Sequence, residues 1–148
     1  MGTLRPDRTG RRARRRPGGT VSLLPAYSIE DRLRDFLSAY SQAYESRDLE
    51  RLRLFFAEDA LENGHPFSKV LPIYRKNFAA LAGLEYTIDL VSWEKDDAAG
   101  RITLKGIFNV RYHKPNRDWH TTQGEISMKL VAQGGAYRVR RLEYRKSD

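Results

Sequence analysis

The sequence predicts an α+β fold: three N-terminal helices packed on a strongly curved antiparallel sheet of four main strands. Three observations predict it. Apolar residues recur at helical spacing between Ile29 and Leu81, then alternate with polar ones from Leu84 onward. Every helix signal precedes every long-strand signal, an order that places the helices on one face of an antiparallel sheet. The chain has 148 residues, 40% of them hydrophobic, with eight Tyr, six Phe and two Trp. That is enough for one domain with a real core.

The first helix opens at Ser28, whose hydroxyl caps exposed amides, with Asp31 in the capping-box position. Ile29, Leu33, Phe36, Leu37, Tyr40 and Tyr44 form its single apolar stripe. Ser46-Arg47-Asp48 breaks it, and Asp48 caps a short second helix predicted to turn Leu49, Leu52, Phe55 and Phe56 inward. A loop through Asn63-Gly64-His65-Pro66 follows. Pro66 suits the first turn of a third helix, whose stripe is Phe67, Val70, Leu71, Tyr74, Phe78 and Leu81. Pro72 inside it predicts a later start or a kink, and Gly83 a stop.

Leu84, Tyr86, Ile88 and Leu90 then set the inner face of a first strand. Val91 and Trp93 slip its phase, which predicts a bulge. A turn over 96–100 leads to a second strand with Ile102, Leu104, Phe108, Val110 and Tyr112 inward. After Lys114–Asp118, a third strand from about Trp119 presents Ile126, Met128 and Leu130. Gly134-Gly135 closes a tight hairpin, and Tyr137–Tyr144 is the fourth strand. No internal repeat occurs.

Charge is segregated. Seven arginines against one acid in the first 20 residues account for +6 of the formal +8, leaving +2 for the rest. With four glycines, two prolines and little apolar surface there, residues 1–27 read as a disordered basic tail, and 28–148 as the domain. Arg11, Arg12, Arg14, Arg15 and Arg16 are the candidate anion-binding residues, suited to an anionic partner such as nucleic acid or a lipid surface. A solubilising leader, or translated sequence upstream of the true start, is the plainer reading. The stretch Val21–Tyr27 is broken by Ser22 and Pro25, too short for a secretory core. No apolar run approaches about 18 residues, so no transmembrane segment is read. The expected compartment is the cytoplasm, or the periplasm if the domain was cut from a longer envelope protein. Zero cysteines exclude disulfides, thiolate metal sites and cysteine catalysis.

The segment Ala43–Leu52, continuing through Phe55-Phe56-Ala57-Glu58-Asp59-Ala60, together with the Gly134-Gly135 hairpin and Tyr137-Arg138-Val139, resembles the nuclear transport factor 2-like superfamily. The resemblance covers about Ile29 to Arg145. It implies a cone-shaped α+β (cystatin-like) fold shared by ketosteroid isomerases, SnoaL-like cyclases and non-catalytic bacterial accessory domains, and is closest to the last. Isomerases of this fold use a Tyr on the first helix, where Tyr40 stands, and an Asp base after the aromatic-x-x-Asp-Ala step. Here the base slot falls on Gly64, or on His65 if the prolines are aligned. Glu62 lies two residues short and is expected to face away; Glu125 is expected to point outward. The resemblance therefore carries no carboxylate base.

Three functions remain. The preferred one is a non-catalytic ligand-binding or assembly module. The first alternative is a small-molecule isomerase, cyclase or dehydratase using a cone pocket, with Tyr40, His65 and His120 as candidate catalytic groups, since imidazole titrates near neutral pH. The second is anionic-surface or nucleic-acid binding through the tail. Tyr40, Tyr44, Tyr74, Phe108, Tyr112 and His120 are the candidate pocket residues for a small apolar ligand, an aromatic-rich lining being either plain core or a ligand site. No ligand spacing for a metal, no phosphate-binding glycine loop and no nucleophile elbow occurs, so no metal or cofactor is expected. Lys105, Ile107, Arg111, Glu125 and Lys129 fall on the outer sheet face, where a homodimer is expected.

Overall fold

A computed structural model describes residues 28–96 and 100–147. The basic tail, with Arg11, Arg12, Arg14, Arg15 and Arg16, lies outside the described residues, as do 97–99 of the expected turn. The chain divides into two units, 1–31 and 32–148. Of the first, the described part is Ser28–Asp31. There the Asp31 amide donates to the Ser28 hydroxyl at 3.0 Å and the Ser28 amide to the Asp31 carboxylate at 3.4 Å, a closed capping box.

The elements run α1 (Ile29–Ser46), α2 (Leu49–Arg53), β1 (Phe56–Glu62), β2 (His65–Pro66), α3 (Phe67–Ala79), β3 (Gly83–Lys95), β4 (Arg101–His113), β5 (His120–Gln133) and β6 (Ala136–Lys146). The six strands form one curved sheet in the order β2-β1-β6-β5-β4-β3. Every pairing is antiparallel except β1 with β6, which is parallel. Asp48 caps α2 through the Arg51 amide at 3.2 Å. The expected bulge in β3 lies between Leu90 and Ser92, leaving Val91 exposed.

Two expectations are corrected. The second helix ends at Arg53, so Phe56 belongs to β1 rather than to a helical stripe, and the sheet has six strands instead of four. The reason is local. Phe56–Glu62 breaks simple alternation, with Glu58 and Asp59 both exposed between buried Ala57 and Ala60, and its register against β6 shifts between Phe56 and Leu61. Its apolar residues therefore continue the helical spacing of Leu52 and Phe55. Pro72, in turn, neither delays nor ends α3, which begins at Phe67 directly after Pro66.

The core lies between the helices and the concave face. Leu33, Leu37, Tyr40 and Ala43 of α1 are buried, as are Ile102, Leu104, Phe108, Ile126, Met128, Leu130, Val139 and Leu142 of the long strands. Gly124 stands directly opposite Phe108. A Cβ there would come within 2.6 Å of the Phe108 ring and 2.2 Å of the Arg145 carbonyl oxygen. The missing side chain is what lets Phe108 lie flat along the sheet as a wall.

Candidate functional site

That wall encloses a cavity of about 470 Å³, within the size range of small-molecule sites. Residues four apart on α1, Tyr40 and Tyr44, meet Tyr74 and Phe78 of α3, Tyr86 of β3, Phe108 and Tyr112 of β4, and Tyr144 of β6. The Tyr44 and Tyr86 rings stack with centroids 4.1 Å apart, and Tyr74 meets Tyr44 edge-on at 6.2 Å.

One carboxyl enters this aromatic lining. Glu62, only 6% exposed, accepts hydrogen bonds from the hydroxyls of Tyr74 at 2.5 Å and Tyr144 at 3.4 Å. Its inward aim follows from the hairpin that carries it. Asn63 and Gly64 both have positive φ, 48° and 83°, the two-residue turn that Asn-Gly favours. Glu62 consequently pairs with His65 on one side and with buried Leu142 on the other, sharing Leu142's face. Asn63 ties the turn to β6. Its amide donates to the Leu142 carbonyl at 2.8 Å, and its side-chain oxygen accepts from the Tyr144 amide at 3.0 Å.

Burial raises the Glu62 carboxyl above the ordinary carboxylate range, and the two phenol hydrogen bonds pull it part of the way back. Desolvation also pushes the hydroxyls of Tyr40, Tyr44, Tyr74, Tyr86 and Tyr144 upward, and the nearby Glu62 charge adds to this. All five therefore stay neutral donors at physiological pH. Two donate to Glu62. Among the described residues, none accepts from the hydroxyls of Tyr40, Tyr44 or Tyr86, although Tyr40 is 1% exposed. Buried hydroxyls ordinarily have partners.

Of the residues singled out from sequence, Tyr40, Tyr44, Tyr74, Phe108 and Tyr112 line this one cavity; His65 and His120 are not among its lining. His65 is exposed in the short edge strand β2. His120 is the first residue of β5, exposed at the sheet's end, with its ring 5.6 Å from that of Tyr112. Its parity faces the cone, but its position lies at the strand's end. His113 packs on Trp119 at 4.4 Å. Glu62 is the residue that sequence reasoning turned the wrong way. The Asn63-Gly64 dipeptide was the signal, because a two-residue turn there makes Glu62 and His65 the facing pair of a hairpin and so makes Glu62 a strand residue. Among the described residues, no group of three His, Cys, Asp or Glu is placed to hold a metal ion.

No protein-family model matches the sequence, and no curated protein does. Solved structures do. A candidate scytalone dehydratase from Novosphingobium aromaticivorans superposes with a TM-score of 0.70 at 12% identity, over 80% of this chain and 84% of that one. A nuclear transport factor 2-like superfamily protein from Salmonella enterica gives 0.64 at 10% identity, over 78% and 89%. This chain has the nuclear transport factor 2-like fold. A third similar structure with this fold's outline, a candidate calcium/calmodulin-dependent protein kinase II association domain from Xanthomonas campestris, gives 0.71 at 9% identity, over 85% and 93%. Such identities speak for the fold alone, and a nuclear transport factor 2-like fold hosts several kinds of function. Among the described residues, no helix is long and apolar enough to cross a membrane.

Proposed function

We propose that the cavity binds one small, largely apolar ring compound bearing a carbonyl or hydroxyl group, and that Glu62 makes the chain an acid–base enzyme of the isomerase or dehydratase kind on it. The observation that carries this reading is a buried carboxyl, raised by desolvation, set among phenol donors in a cavity of ligand size. The preference for a non-catalytic module rested on a missing carboxylate, and Glu62 supplies one. The likeness to a candidate scytalone dehydratase points the same way as analogy.

In this reading the ionised Glu62 takes a proton from a carbon next to the ligand carbonyl. The C–H bond breaks, an O–H bond forms on the carboxyl, and the electron pair moves onto the carbonyl oxygen. The unengaged hydroxyls of Tyr40, Tyr44 and Tyr86 are the donors available to that oxygen. Return of the proton to another carbon isomerises the compound; expulsion of a neighbouring hydroxyl as water dehydrates it.

The test is deuterium uptake by 2-tetralone in heavy water, followed by proton NMR with the full chain. Uptake next to the carbonyl faster than in buffer is expected. Binding without uptake restores the non-catalytic module, and absence of both removes the pocket reading.

A homodimer through the outer sheet face belongs to the same proposal. Ile107 is half-buried there between Asp89 and Glu125 on the neighbouring strands. The flanking charges Arg111–Glu85 and Arg145–Glu125 already pair within the chain, at 2.8 and 3.4 Å. Sedimentation equilibrium should therefore show a dimer that Ile107→Asp dissociates. A wild-type monomer at high micromolar concentration overturns the pairing.

A further inference from the structure

The cavity is not uniform from floor to mouth. Its interior is largely aromatic, and Glu62 is the one acidic residue on its lining. Its exposed rim carries three lysines from three elements: Lys76 of α3, Lys114 just after β4, and Lys146 at the end of β6. Among the described residues, none of the three forms an ion pair. Four basic side chains elsewhere on the described surface do pair with acids: Arg53 with Glu50, Arg111 with Glu85, Arg140 with Asp59 and Arg145 with Glu125. What sets these three apart is their place: all three line the same apolar cavity, and all three are exposed at its rim.

From this we infer that the ligand is an organic anion, a ring compound with a carboxylate at one end. The ring body enters the aromatic floor while the carboxylate remains at the mouth among Lys76, Lys114 and Lys146. This deepens the reading given above and rests on it. Charge placement fixes the orientation. A carboxylate driven to the floor would meet Glu62 and lose its water among phenyl rings, whereas at the rim it keeps part of its hydration and gains three ammonium groups. Positive charge around a low-dielectric mouth also raises the local concentration of anions and speeds their capture. Lysines present point charges without the planar fork of arginine, which suits a singly charged end group that is not held in one fixed geometry.

The measurement is calorimetric titration of the full chain with 6-hydroxy-2-naphthoate and with its methyl ester, at low and at high salt. Three exposed ion pairs, each worth a factor of about two, compound to a preference of roughly tenfold for the acid over the ester at low salt. That preference should shrink as salt rises. In the triple variant Lys76→Gln/Lys114→Gln/Lys146→Gln it should fall to within about twofold, these being surface positions whose change leaves the core intact. Acid and ester binding equally well to the wild type overturns the inference and leaves the pocket standing. A preference that survives in the triple variant also overturns it, because its source is then another set of cations. Failure of both probes to bind removes the pocket reading, and the inference with it.

Discussion

Glu62→Gln should slow deuterium uptake by 2-tetralone by two to four orders of magnitude, the usual weight of a positioned general base. Glutamine keeps the size and the hydrogen bond from Tyr74 but cannot take a proton. The pH dependence gives an independent signature, since one titration governs two observables. The active base is the carboxylate, so the rate should climb as pH rises through the native pKa of Glu62. Stability should move in the opposite direction. Burial raises this carboxyl above its unfolded value, so over the window between the two pKa values the native state holds the extra proton. Its contribution is complete below the unfolded pKa and is lost as pH rises through the native one. Urea unfolding across that window should show the wild type losing stability relative to Glu62→Gln. A parallel profile for the two proteins would mean that Glu62 titrates normally and that the cavity does not set its state.

Most of the architecture was legible because most of it is periodic. The stripe of α1, the alternation of β4 and β5 and the slip at Val91 are regular signals that tertiary packing did not override. What escaped was β1. It is seven residues long, interrupted by Glu58 and Asp59, and held in parallel by β6, a partner far away in sequence. No local rule reports a long-range parallel pairing, so its first residue, Phe56, reads as part of the preceding helix and the rest goes unassigned. That single error propagated to the site. Without the pairings of β1, strand parity counted from the base slot turns Glu62 the opposite way, whereas its carboxyl is buried on the cavity lining. The tyrosines were found because helical spacing and strand parity each place them directly. The histidines were overvalued for a different reason: parity gives the face of a strand, not the distance along it, and His120 has the right face at the strand's first residue.

Tyr40 separates stability from function. Its side chain is 1% exposed and touches the rings of Phe36, Tyr44, Phe55, Phe56 and Tyr86. Tyr40→Ala should therefore cost about 3–5 kcal/mol in urea unfolding, the range for removing a buried ring. Tyr40→Phe keeps every ring contact and removes only the hydroxyl, which no described residue accepts from. An unpaired buried polar group costs about 1–3 kcal/mol, so its removal should leave stability unchanged or raise it by about 1 kcal/mol. The same variant should weaken 2-tetralone binding and slow its exchange, because a donor to the carbonyl oxygen is gone. A protein destabilised by Tyr40→Phe, with ligand affinity intact, would show instead that the hydroxyl serves the fold. Gained or unchanged stability together with lost binding is the pattern of a group kept for a ligand, at a position where packing alone would favour phenylalanine.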